Sequence, residues 1–150
     1  MLESLEFDGW FNRLHSRVDF DTPRGPTPGR IDSDGYGPGF SVARFSGIID
    51  TVFFNVTVPI DWETTWSMKV YRIRRLGPGE EAELKSRRVG EALVRDLRKQ
   101  MAEDNVIFDN KIHNPKPALA DADGPILQFR KWAAKFYAPG DPVAQGRNPP

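Results

Sequence analysis

The hydrophobic period of this chain changes once, from two to about 3.6 residues, across Gly77-Pro78-Gly79. A period of two buries one face of a strand, and a period of 3.6 buries one stripe of a helix. The chain is therefore expected to build its strands first and its long helix afterwards. Before the switch, Val52, Phe54, Val56 and Val58 alternate with Thr51, Asn55 and Thr57, and Phe53 interrupts the polar set. Next, Trp62, Thr64, Trp66, Met68 and Val70 share one face, with Glu63, Thr65, Ser67 and Lys69 opposite. Such patterns describe half-buried antiparallel strands with one face on a core. The turn Pro59-Ile60-Asp61 separates them, and residues 42–48 read as a further, mixed strand.

Nearer the N-terminus, Leu5 and Phe7 alternate with polar neighbours, Asp8-Gly9 is a turn signal, and residues 11–18 continue as the partner strand of a hairpin. Residues 22–39 are dense in Pro and Gly and read as one long loop, either a lid or a plain connector. After the switch, residues 80 to about 108 form the long amphipathic helix, opened by an acidic turn that suits the helix dipole. A shorter helix is expected over about 125–137, with Ile126, Phe129, Ala133 and Phe136 as its stripe and Asp121 or Asp123 as a cap. Residues 1–138 are thus expected to form one α+β domain, an antiparallel sheet packed on a long helix, and 139–150 a Pro/Gly-rich flexible tail.

Composition narrows the functions. Lys plus Arg equals Asp plus Glu at 21 each, so net charge gives no pull toward nucleic acid or an anionic membrane. With no cysteine, the chain holds no disulfide, thiolate nucleophile, Cys-ligated zinc or iron–sulfur cluster. Its first residues lack the pattern of a signal peptide, and no apolar run reaches the ~18 residues of a membrane span. A soluble, cytoplasmic chain is expected.

On a helical wheel of about 100° per residue with Val89 as origin, Leu93, Leu97 and Met101 fall at about 40°, 80° and 120°. Asp104 falls at about 60°, inside that apolar arc, with Gln100 at about 20°. An ionised carboxylate facing a core costs several kcal/mol unless it is paired, hydrogen-bonded or bound to a cation. Three readings stay open: Asp104 caps the helix end, pairs with an inward Arg such as Arg44, or serves as a metal ligand or acid/base group. An apolar cavity between helix and sheet would be lined by Phe54 and Trp66 from the strands and by Leu97, Gln100 and Met101 from the helix. Plain core packing explains the aromatics equally well. His15 and His113 read as packed or solvated residues. The arginines Arg72, Arg74, Arg75, Arg87 and Arg88 read as solvated faces.

The helix end carries a more specific wording. Glu103-Asp104-Asn105-Val106-Ile107-Phe108-Asp109-Asn110-Lys111 leads to Asn114-Pro115-Lys116-Pro117-Ala118-Leu119 and Asp123-Gly124-Pro125-Ile126, then Phe129-Arg130-Lys131-Trp132 and Phe136-Tyr137. Upstream stand Thr22-Pro23-Arg24-Gly25, Tyr36-Gly37-Pro38-Gly39 and Arg44-Phe45-Ser46-Gly47-Ile48. Together these resemble the C-terminal part of the catalytic domain of Rieske non-heme iron oxygenases, nearest the 3-ketosteroid 9α-hydroxylase and cholesterol 7-desaturase group. The resemblance implies a helix-grip, START-like fold in partial form, with the substrate cavity between sheet and long helix. It makes Asp104 the carboxylate of a two-His, one-carboxylate mononuclear Fe(II) site. It places Phe108 where the family has Trp.

The departures are equally definite. The family's His-x4-His ligands and its Cys/His Rieske cluster motifs have no counterpart here, and neither His15 nor His113 matches them. The resemblance therefore implies a steroid- or aromatic-directed oxygenase half that is inactive alone. A second oxygenase polypeptide bearing the Rieske domain and histidines would complete it in trans. The alternatives are a START-like module that binds an apolar small molecule or a partner without catalysis, and a decayed fragment with no activity of its own; a homo-oligomer is compatible with each.

Overall fold

In the computed structural model, described over residues 1–22, 24–61, 64–112, 114, 116–120 and 123–141, six strands form one antiparallel meander. They are β1 (Leu2–Asp8), β2 (Phe11–Phe20), β3 (Thr27–Tyr36), β4 (Phe40–Ser46), β5 (Thr51–Pro59) and β6 (Thr65–Ile73), each paired with its sequence neighbours. The helices α1 (Glu80–Asp109) and α2 (Ile126–Ala133) follow, and a 3-10 turn over Ala134–Phe136 extends α2. The strands-then-helix order and the α+β class are as the change of period predicts. Trp62, His113, Asp121 and the chain beyond Asp141 lie outside the described residues.

The expected loop over 22–39 is instead mostly the strand β3, in register with both neighbours. Its glycines are there for close approach. A Cβ on Gly29 would lie 2.3 Å from the Ser46 carbonyl oxygen and 2.5 Å from the Phe20 ring. One on Gly35 would lie 2.3 Å from the Asn12 side chain. Pattern reading mistook packing glycines for loop glycines.

Cross-strand partners share a face of a sheet. One row runs Leu5, Leu14, Ser33, Ala43, Phe53, Tyr71 from β1 to β6. The adjacent row on the other face runs Glu6, Arg13, Asp34, Val42, Phe54, Val70. The first face carries both helices. α1 lies along β6, with Leu93 and Leu97 beside Tyr71 and Gly90 against Ile73. Tyr71 in turn stacks on Phe53 at 4.7 Å. At the opposite edge α2 packs on β1, where Trp132 meets Phe7 at 5.7 Å and Phe129 meets it at 6.5 Å.

The start of α1 is tied by Ser86, which accepts the Leu76 N–H and donates to the Ala82 carbonyl. Glu80, Glu81 and Glu83 fill the first turn, where negative charge suits the dipole. Among the described residues neither helix has a side-chain hydrogen bond at its N-cap, the Asn110 side chain donates to the Val106 carbonyl at the end of α1, and Asp123 accepts the Ala120 N–H just upstream of α2.

Candidate functional site

Two recesses on the helix face bear on ligand binding. Against α1, an apolar recess of about 150 Å³ is lined by Phe20, Phe45, Ile48, Tyr71, Leu93 and Leu97, among others. Against α2, a larger one of about 620 Å³ has Asn12, Leu14, Ser33 and Gly35 as its floor and Phe129 and Trp132 on its helical side. Ser33, Gly35, Ser41 and Ala43 are small, and that is what leaves room between the helices. A ligand pocket usually spans about 300–1,000 Å³. The α2 recess falls within that range and the α1 recess below it.

The candidate residues do not gather in one place. Leu97 and Met101 face the sheet beside Tyr71. Phe54 and Trp66 lie on the other face, opposite Val70 and Val58 respectively. The inward assignment of Phe54 and Trp66 toward the long helix is therefore corrected: alternation was right, but the helix covers the Phe53 and Tyr71 side. Gln100 is exposed.

Asp104 keeps its angular position in the stripe yet is exposed, as is every α1 residue from Ala102 onward. Val106, Ile107 and Phe108 are 66%, 65% and 58% exposed, so no described element covers this end of the stripe. The desolvation argument for Asp104 consequently does not apply in this chain. Nor does it pair with Arg44, which donates to Asp34 at 2.6 Å.

The charged groups that do organise a site stand on the open face. Asp34, 6% exposed, accepts from Arg13 at 2.9 Å and from Arg44 at 2.6 Å. Burial works to raise its carboxyl, and the two guanidinium groups overcome this and hold it below the usual carboxylate range. One row over, His15 Nδ1 donates to Asp32 at 2.8 Å, and that hydrogen bond, with Arg30, lowers the Asp32 carboxyl. Arg30 also reaches Glu3 at 2.8 Å. His15 is thus engaged across the sheet from α1.

No group of three or more His, Cys, Asp or Glu side chains among the described residues is placed to hold a metal ion. Asp104 offers one carboxylate without a second ligand beside it. The described residues by themselves do not fit a mononuclear iron site.

A family model described as the 3-ketosteroid 9alpha-hydroxylase C-terminal domain matches residues 19–137, from the end of β2 to just past the 3-10 turn. The chain belongs to that family. The 3-ketosteroid 9α-hydroxylase C-terminal match includes Asp104 and all five cavity candidates, and it leaves β1 and most of β2 outside. Over 123 residues the chain is 28% identical to the oxygenase component of a 3-ketosteroid-9-alpha-monooxygenase from Rhodococcus rhodochrous. That alignment takes in 77% of this chain and 30% of the relative, so the chain spans less than a third of the curated relative it matches. No described helix is long and apolar enough to cross a membrane.

Sequence reasoning missed Tyr71, Phe45, Phe20 and Leu93 as recess residues. A signal was present: Tyr71 has the strand parity of Lys69 and Ser67, and Phe53 broke the polar set of β5 on the face that pairs with it.

Proposed function

We propose that this chain forms the C-terminal part of the catalytic domain of a Rieske-type oxygenase acting on a steroid or other polycyclic or aromatic substrate. Residues 1–138 act as the domain in a helix-grip arrangement, and the protein works in the cytoplasm. Asp104 contributes the carboxylate to a mononuclear iron site. Its histidines and the Rieske cluster come from a second oxygenase polypeptide. The observation that carries this reading is the family match over residues 19–137, which contains the long helix and Asp104. The uncovered stripe around Asp104 supports it, because an apolar stripe with a carboxylate in it is what a completing polypeptide would cover.

The test is co-expression with a polypeptide carrying a Rieske domain and a His-x4-His motif, followed by iron analysis of the purified complex. One mononuclear iron per complex beyond the cluster, lost in Asp104→Ala, is the expected result. Full iron occupancy in Asp104→Ala overturns the role of Asp104.

The α2 recess favours a second reading, binding of an apolar small molecule without chemistry. Uptake of a 3-ketosteroid by the purified chain alone, unchanged in Asp104→Ala, supports that reading over the first.

A further inference from the structure

The two edges of the sheet are built differently. On β1 the register slips between Leu2 and Ser4, and Glu3, Glu6 and Asp8 interrupt the strand with charge. Both are ordinary devices that keep an edge from pairing with another chain. β6 has neither. It runs in unbroken register with β5 over Thr65–Ile73, and its outer side is unpaired among the described residues. On the open face it shows Trp66, Met68 and Val70 in succession, at 49%, 40% and 41% exposure.

The helix side of the same edge is basic. Grooves of about 620 and 330 Å³ run between β6 and α1, and Lys69, Arg95 and Arg98 line them with Glu91 as the one acid. Lys69 Nζ is held by Asn55 and Ser67, at 2.7 and 2.8 Å. Arg95 and Arg98 make no ion pair among the described residues. A second copy of β6, paired edge to edge, would bring a second Lys69, Arg95 and Arg98 toward the first set, and like charges so placed repel.

We propose that β6 is a docking edge for an extended segment of a second polypeptide, with apolar side chains over Trp66, Met68 and Val70 and acidic ones facing Lys69, Arg95 and Arg98. The added strand gains main-chain hydrogen bonds from the open edge, and its alternating side chains supply the selectivity. This rests on the reading that another polypeptide completes the domain, and it names where that polypeptide attaches.

The full chain is mixed with a nine-residue peptide alternating valine and glutamate, and separately with one alternating valine and lysine. Neither iron nor substrate is present. The expected result is slowed amide exchange across Thr65–Ile73 with the glutamate peptide and at least about ten-fold weaker binding of the lysine peptide, a preference reversed in Arg95→Glu/Arg98→Glu. Both arginines are exposed on a helix, so the double variant keeps its fold, which circular dichroism checks. Equal binding of the two peptides, or no protection of β6 by either, overturns the proposal. So does protection that rises with protein concentration alone, which identifies a second copy as the occupant. An iron-bearing complex whose β6 amides still exchange freely defeats this inference and leaves the oxygenase reading standing. Protected β6 amides in a complex without iron do the reverse.

Discussion

The indole N–H of Trp132 donates to the carbonyl oxygen of Gly9 at 2.9 Å and so ties α2 to the first turn of the sheet. Trp132 is 2% exposed and is the most buried hydrophobic side chain described. Its ring also contacts Phe7, Phe129 and Phe136. Trp132→Phe keeps most of the packing and loses the hydrogen bond, for an expected cost of about 1 kcal/mol. Trp132→Ala loses both, for about 3–5 kcal/mol. Urea unfolding of the three proteins checks the order; equal stability of Trp132→Phe and Trp132→Ala contradicts it.

Asp34 makes the stability of the chain depend on pH. Its carboxyl lies below the usual range in the folded state, so its contribution is fully present above the unfolded value near ~4 and is lost as pH falls through the folded value. Asp34→Asn is expected to be less stable by about 1–3 kcal/mol at neutral pH. The gap between the two proteins should narrow below about pH 4. A gap of constant size from neutral to acid pH would show that the carboxylate charge is not what Arg13 and Arg44 recognise.

Gly29 and Gly35 stand in the same strand and should respond differently to alanine. The atoms facing Gly29 include the Ser46 carbonyl oxygen, which is backbone and cannot turn away. Gly29→Ala is expected to cost about 1–3 kcal/mol through overpacking. The atoms facing Gly35 belong to the Asn12 side chain. Gly35→Ala should therefore be rescued by Asn12→Ala in the double variant, as thermal melts would show. Failure of that rescue would place the obstruction elsewhere.

Exposed residues at the end of α1 should be silent in the isolated chain. Asp104→Ala is expected to change unfolding free energy by no more than about 0.5 kcal/mol. Replacing Ile107 and Phe108 with Gln should leave stability equally unchanged and reduce binding of a hydrophobic dye. A loss of several kcal/mol in either variant would mean that this stretch is buried in solution.

The strand and helix types were legible where one periodicity dominated. Val52 to Val58 announced β5, and the stripe through Leu93, Leu97 and Met101 announced α1. β3 was not legible, because Asp32 meets His15 and Asp34 meets Arg13 and Arg44 across strands, and such pairing is invisible in a linear pattern. Pro28, Gly29 and Gly35 then looked like loop residues. The two faces of β5 could not be told apart either, since Phe53 and Phe54 put an aromatic on each, and only the position of α1 decides between them. For Asp104 the wheel gave the correct angle, but a wheel carries no information about what lies opposite. Burial depends on a neighbour, and none is described there.

A sheet in which every strand pairs with the one before it has a kinetic consequence. Each hairpin can close over a short loop as soon as its two strands exist, so β1 to β6 can zip in order while the chain is still being made. The bond from Trp132 to Gly9 joins residues 123 positions apart and can form only after that zipper is complete. The earliest turn of the sheet is therefore the last to be covered, and during synthesis it stays bare for nearly the whole length of the chain.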